Sequence, residues 1–238
     1  MNKGVNAIIM AAGKGTRLYP LTEITPKPLI KIKGVPMIEN LISSLLEVGI
    51  KDITIVTGYK KEQFEYLKDK YGVDIVNNPD YDIANNISSL YYASHKLGNT
   101  YILDGDQNIN DLDILKNDYL HSGYICIPND DTFVNEWILE LDRNNKIIKC
   151  HRSGARNGYI LKSFSYWNDI DGLKLKNALK KIYIKENKRD IYWDDVAIFE
   201  LPNEFDLYGY IAKKDAIIEV DSLDELIALD KSYGDYRK

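Results

Sequence analysis

The chain has 238 residues, 45% of them hydrophobic, which suits one substantial core in one domain and excludes a disordered tail. Its 31 Lys and Arg against 36 Asp and Glu leave a net charge of −5, with lysines scattered among acids, so a nucleic-acid footprint is not expected. Two cysteines, Cys126 and Cys150, fall in no CxxC or Cys/His spacing, which removes a disulfide framework and structural zinc and points to free thiols in a reducing cytosol.

The N-terminus from Met1 holds too short an apolar run for a signal segment or a membrane span, so a cytoplasmic protein without membrane insertion is expected. Apolar residues 7–10 read as a buried strand that runs into Gly13-Lys14-Gly15. Pro36 then starts a helix, with Met37, Ile38, Leu41, Ile42, Leu45 and Leu46 at helical spacing and Gly49 as its stop. Residues 53–56 form a strand closed by Gly58, 61–71 a polar helix and 73–76 a strand. A helix over 86–97 is capped by Asn85 or Asn86, and strand 101–103 delivers Asp104-Gly105-Asp106.

The second half changes character. Residues 137–141 and 146–149 flank the turn cluster Asp142-Arg143-Asn144-Asn145, which predicts a hairpin. Leu175, Ala178, Leu179 and Ile182 make an apolar stripe, with Lys174, Lys176, Lys180 and Lys181 as the solvated face. A strand at 217–220 and a last helix capped by Ser222 or Asp221, ending near Tyr233, complete the chain. The predicted fold class is α/β: a mostly parallel, mixed central sheet with helices on both faces, in a single domain over 1–238.

Ligands of such sheets sit at the carboxyl ends of strands, and three segments end there with polar or glycine-rich groups: 13–17, 104–106 and 219–221. Gly13-Lys14-Gly15-Thr16-Arg17 lets backbone N–H groups approach an anion beside two cations, although glycines after a strand also serve as plain turns. It is neither a P-loop nor a GxGxxG fingerprint. Lys27 stands between Pro26 and Pro28, whose fixed backbone would hold its ammonium in place for phosphoryl transfer.

Asp104 and Asp106 could hold Mg²⁺ together with substrate phosphates, or could mark a surface turn; Asp221 is the candidate second carboxylate. Trp137, Tyr192, Trp193, Asp194 and Glu219 offer indole and phenol faces with acids, a pattern that suits a quaternary ammonium and equally an ordinary core. His95, His121 and His151 lie apart from every motif and are read as surface or structural groups.

On Ala11-Ala12-Gly13-Lys14-Gly15-Thr16-Arg17-Leu18-Tyr19-Pro20-Leu21-Thr22, Thr25-Pro26-Lys27-Pro28-Leu29 and Gly34-Val35-Pro36-Met37-Ile38, the N-terminal third resembles the nucleotidyltransferase family that makes activated sugars and alcohols. Through Asn135-Glu136-Trp137, Tyr192-Trp193-Asp194 and Ile218-Glu219-Val220-Asp221-Ser222, nearly the whole chain is similar to the bacterial CTP:phosphocholine cytidylyltransferases.

That resemblance implies a Rossmann-like, GT-A-like fold, with a nucleotide-binding half over about 1–125 and a small β-rich acceptor half over about 126–238. It implies that Ala11, Ala12, Gly13, Lys14, Gly15, Thr16 and Arg17 wrap the triphosphate. Lys27 with Arg17 would act in the transfer, and Asp104 would face the nucleotide. Asn86 and Ser88 would read base and ribose, and Asp106 and Asp221 would hold Mg²⁺. Trp137, Tyr192, Trp193, Asp194 and Glu219 would enclose the choline trimethylammonium.

The implied partners are CTP and a small phosphorylated amino-alcohol, with the enzyme acting as monomer or homodimer. One departure stands out: Asp195 replaces an expected amide and adds negative charge that a primary amine would welcome. Phosphoethanolamine, 2-aminoethylphosphonate and a sugar 1-phosphate are therefore the rival acceptors.

Overall fold

The computed structural model describes residues 4–116 and 119–236. Met1 to Lys3, where the N-terminal reading begins, lie outside the described residues.

The first strand, β1 (Asn6–Ala11), explains the layering. Its alternate residues point to opposite faces, and both sets are apolar, as a strand covered on both sides requires. Ala7, Ile9 and Ala11 join one core; Ile8 and Met10 join the other. After it come the short hairpin β2 (Lys31–Ile32) and β3 (Val35–Pro36), then α1 (Met37–Glu47). Pro36 stands at the N-cap, and Ile38, Leu41, Ile42 and Leu45 bury against the first core. β4 (Asp52–Thr57), α2 (Tyr66–Tyr71), β5 (Asp74–Asn77), α3 (Ile87–Ala93) and β6 (Thr100–Asp104) follow.

The second half contributes β7 (Gln107–Ile109), α4 (Asp113–Lys116), β8 (Gly123–Pro128), the hairpin β9 (Ile138–Leu141) and β10 (Ile147–His151), and the long β11 (Tyr159–Trp167). Next are α5 (Asp169–Leu179), continued by a π-helix (Lys180–Lys185), and α6 (Trp193–Asp195), continued by a second π-helix (Val196–Glu200). β12 (Tyr208–Ile211), β13 (Ile217–Glu219) and α7 (Leu223–Leu229) close the fold. The predicted stripe of Leu175, Ala178, Leu179 and Ile182 is buried in the second core.

Nine strands form one mixed sheet, in which β10-β9-β11-β6-β1-β4-β5 is the main path and β8 joins β11 to β12. β1 runs parallel to β4 and β6, and β4 to β5; β11 then lies antiparallel to β6, β8 and β9. The parallel run β6-β1-β4-β5 thus comes from the first half, and the hairpin-bearing second half supplies the antiparallel pairs together with one parallel pair, β8 with β12. The late strand departs from its expected place. β13 pairs with β7 in a separate ribbon, so Glu219 to Asp221 reach the site from beside the sheet and not from the end of one of its strands.

A third, small core of Leu18, Ile30, Met37, Val220 and Leu226 ties the segment after β1 to α7. Among the described residues no helix is long and apolar enough to cross a membrane. Cys126 is buried, Cys150 is half-buried and both are free. His151 is not isolated, since its ring meets the Glu140 carboxylate across the β9–β10 hairpin, and His121 stacks on Tyr208 at 4.4 Å.

Candidate active site

The carboxyl ends of β1 and β6 open into a cleft lined by Ala11, Ala12, Gly13, Gly15, Lys27, Pro28, Asn86, Ser89, Asp104 and Asp106. Gly15 shows why glycine stands in this loop. Its φ of 62° is left-handed, and a Cβ there would lie 2.7 Å from the Lys27 Cβ, so the loop rests directly on the lysine.

Lys27 starts a short 3₁₀ turn (Lys27–Leu29) with Pro26 before it and Pro28 inside it, and it is 8% exposed. Its Nζ donates to Asp221 Oδ1 at 2.8 Å and is paired with Asp106. Burial works to lower the lysine pKa, but Asp106 and Asp221 outweigh it and hold the pKa above its ordinary value. Arg17, 69% exposed, reaches the same Asp221 oxygen at 2.6 Å, and Lys14 pairs with Asp82. All three proposed phosphate cations are therefore resting on acids, and a polyphosphate would exchange those partners for its own oxygens.

Asp104, Asp106 and Glu219 bring one carboxylate oxygen each within 4.8 Å of one another. Burial, then the charges of Asp106 and Glu219, push Asp104 well above the usual carboxylate range; burial and Asp106 push Glu219 up to about 7. Among the described residues Asp106 Oδ1 is buried with no hydrogen-bond partner. Three crowded carboxylates with an orphaned oxygen fit a hard divalent cation, which would relieve their repulsion. In this arrangement Glu219, expected beside the acceptor, stands in the carboxylate cluster, and Asp221, expected on the metal with Asp106, shares Lys27 with Asp106 and also meets Arg17.

Asn86 lines the cleft, but its side chain does not cap α3; its Oδ1 instead accepts from the Trp193 backbone N at 2.9 Å, which ties the cleft to α6. Ser88 is fully buried. Its hydroxyl donates to the Asn85 carbonyl at 2.8 Å and accepts from Asn78 Nδ2 at 2.9 Å, and the neighbouring Ser89 faces the cleft in its place. An i, i+1 choice on a seven-residue helix is too fine for sequence spacing to make.

The aromatic group divides in two. Trp193 is 1% exposed and packs on Tyr124 and Trp167, both at 6.1 Å, so its ring belongs to the core. Trp137 meets Tyr192 edge-on at 5.9 Å and Phe199 at 5.4 Å, forming a partly exposed aromatic face. Sequence reasoning missed Phe199, which sits in the π-helix behind α6, and Arg152, whose guanidinium lies over that face.

Asp194 is buried, which pushes its carboxyl up to about 7, and its Oδ1 has no hydrogen-bond partner among the described residues. Asp195 does not act as a free charge. It pairs with Arg152 and accepts from the Tyr192 backbone N at 2.8 Å, so the extra acid seen in the sequence already has its counter-ion.

A rigid lysine, a glycine loop and a carboxylate cluster on one sheet edge are the equipment of a nucleotidyltransferase, and a nucleotidyl transferase family model matches residues 6–117. The chain is 37% identical to a choline-phosphate cytidylyltransferase of Streptococcus pneumoniae, over 95% of this chain and 97% of that one. It is 38% identical to a 2-aminoethylphosphonate cytidylyltransferase of Lancefieldella rimae, over 96% and 93%. The solved CTP:phosphocholine cytidylyltransferase LicC of S. pneumoniae superposes with a TM-score of 0.88 at 38% identity, over 96% of this chain and 98% of that one. An inositol-1-phosphate CTP transferase of T. maritima, at 20% identity and a TM-score of 0.76, shares the fold. The chain belongs to the LicC-like cytidylyltransferases and is an enzyme that transfers CMP from CTP to a small phosphorylated substrate.

Proposed function

We propose that the phosphorylated substrate is phosphocholine, with CDP-choline and pyrophosphate as products and Mg²⁺ as the cofactor. The observation that carries this reading is the partly exposed face of Trp137, Tyr192 and Phe199, which already bears one cation. Aromatic faces hold a trimethylammonium without hydrogen bonds, and a nearby carboxylate adds attraction. Residues of about 1–125 serve the nucleotide and those of about 126–238 the acceptor, in a cytoplasmic enzyme.

An acceptor phosphate oxygen bonds to the α-phosphorus in line as the bond to the bridging oxygen of pyrophosphate breaks. The nucleophile is already anionic, so no general base is needed, and the task is to bring two anions together. The loop residues Ala11, Ala12, Gly13, Gly15 and Thr16 present backbone N–H groups to the triphosphate. Lys27 stabilises charge at the reacting phosphates, and Lys14 and Arg17 hold the outer ones. Asp104, Asp106 and Glu219 would hold the divalent ion, which when bound neutralises phosphate charge, with Asp221 keeping Lys27 and Arg17 in place. Asn86 and Ser89 face the nucleoside.

The test is pyrophosphate release with CTP and Mg²⁺, comparing phosphocholine with 2-aminoethylphosphonate, phosphoethanolamine and glucose 1-phosphate; a kcat/KM for phosphocholine at least tenfold above the others is expected. One observation favours 2-aminoethylphosphonate as a second reading. The Asp195 carboxylate, which accepts from the guanidinium lying over that face, is a hydrogen-bond acceptor that a primary ammonium can use and a trimethylammonium cannot. A tenfold preference for that substrate would replace phosphocholine and leave the nucleotide half of the reading intact.

A further inference from the structure

The transfer chemistry leaves Arg152 without a role, yet its placement is specific. The residue follows β10, and its guanidinium carbon lies 4.5 Å from the Phe199 ring centroid and 5.1 Å from that of Trp137. One of its Nη groups donates to Asp195 Oδ1, while Asp195 Oδ2 accepts from the Tyr192 backbone N at 2.8 Å. The two partners differ in freedom. The Asp195 side chain is 1% exposed and fixed in the first turn of α6; that of Arg152 is 46% exposed and can swing into solvent.

We propose that Arg152 is a resident cation of the acceptor site, a specificity-determining residue that covers the Trp137–Phe199 face in the free enzyme and is displaced from it by the acceptor's ammonium. The inference rests on the reading that this face takes that ammonium. Two cations cannot share one aromatic face at contact distance without strong repulsion, so guanidinium and ammonium compete. A cationic acceptor can take over attraction to the buried Asp195 as Arg152 leaves. A neutral acceptor cannot, and it would strand a buried carboxylate. The exchange thus weakens binding of every acceptor but penalises neutral ones most, which is a route to selectivity.

Arg152→Gln tests this directly. The KM for phosphocholine is expected to fall about threefold or more, the scale of a cation–π contact, while the KM for CTP moves less than twofold. Guanidinium ion added at millimolar concentration to this variant should compete with phosphocholine and not with CTP, an effect that a purely structural role would not produce. Arg152→Lys, which keeps the pair with Asp195 but loses the planar group, should lower the same KM by a smaller factor and serves if the first variant does not fold. An acceptor KM that rises or stays unchanged, or guanidinium inhibition that is not competitive with the acceptor, overturns the role of Arg152.

The wild-type enzyme separates this failure from that of the underlying reading. If glycerol 3-phosphate, which lacks a cation, is used as well as phosphocholine and 2-aminoethylphosphonate, the aromatic face is not an ammonium site at all. If cationic acceptors are preferred and the variants leave their KM unmoved, only the Arg152 proposal falls.

Discussion

The edge proposed for the nucleotide and the aromatic face proposed for the acceptor are built by opposite strategies. At the nucleotide edge, backbone does the positioning: Gly15 is pressed on Lys27, Lys27 is held between two prolines, and the carboxylates sit on a strand end and a two-strand ribbon. At the aromatic face, side chains from the turn after β10, the N-cap of α6, the π-helix behind it and the loop before β9 meet with little backbone constraint, and a half-exposed arginine lies over two of the rings. A rigid edge suits chemistry common to every reaction of this class, where misplacement is costly. An adaptable face suits the half of the reaction in which acceptors differ.

The largest expected effect therefore belongs to the rigid edge. Lys27→Ala should lower kcat by about a thousandfold, in the range seen when a preorganised donor is removed, with the KM for CTP changing less than tenfold. Pre-steady-state measurement of CMP transfer checks this, and near-normal turnover would remove Lys27 from the mechanism. Asp106→Asn comes next: about a hundredfold loss of activity, together with loss of the thermal stabilisation that Mg²⁺ or Mn²⁺ gives the wild type. If the variant is still stabilised by the ion to the same degree, the carboxylate cluster is not its site.

The acceptor face should respond more gently and in binding alone. Trp137→Ala is expected to raise the KM for phosphocholine about tenfold, since it removes the largest aromatic surface, and to leave the KM for CTP almost unmoved. An equal loss in kcat would show that the two regions are not separable in this way.

Protonation sharpens the contrast further. Burial raises the Asp194 carboxyl to about 7, so its charge is present above that pH and lost as pH falls through it. Acceptor affinity should then drop severalfold between pH 8 and pH 6, and Asp194→Asn should flatten that limb of the KM profile. The linkage to stability runs the other way. The folded state binds this proton more tightly than the unfolded chain does, so Asp194 costs stability as pH rises from about 4 to 7, and Asp194→Asn should raise Tm by a few degrees at pH 8. A lower Tm for the variant at that pH would mean that the buried charge is compensated.

How far each region could be read from sequence follows from the same difference. The strand–loop at Gly13 to Arg17, the proline-flanked Lys27 and the Asp104–Asp106 pair are contiguous, and local chemistry demands those residue types, so they were legible with the α/β alternation around them. Arg152, Phe199 and the burial of Trp193 were not. Each depends on how a π-helix and a β-hairpin dock, and nothing in the spacing distinguishes a core indole from a surface one. The relative placing of Glu219 and Asp221 was hidden for a related reason: β13 enters from a ribbon beside the sheet, so Glu219 lies with Asp104 and Asp106 while Asp221 meets Lys27.

That ribbon leads to the smallest expected effect. Glu225, at the third position of α7, accepts from the backbone N of both Asp221 at 2.7 Å and Ser222 at 2.8 Å, while its own N donates to the Ser222 hydroxyl. This reciprocal cap fixes the turn that presents Asp221 to Lys27 and Arg17, and Val220 anchors it from beneath in the third core. Glu225→Ala should cost about 1 kcal/mol of stability, the usual value of a lost cap, measured by urea unfolding. Because Lys27 keeps Asp106 and its prolines, kcat should fall only a few-fold, far less than for Lys27→Ala. A loss as large as that of Lys27→Ala would mean that the edge owes its rigidity to the α7 cap more than to its prolines.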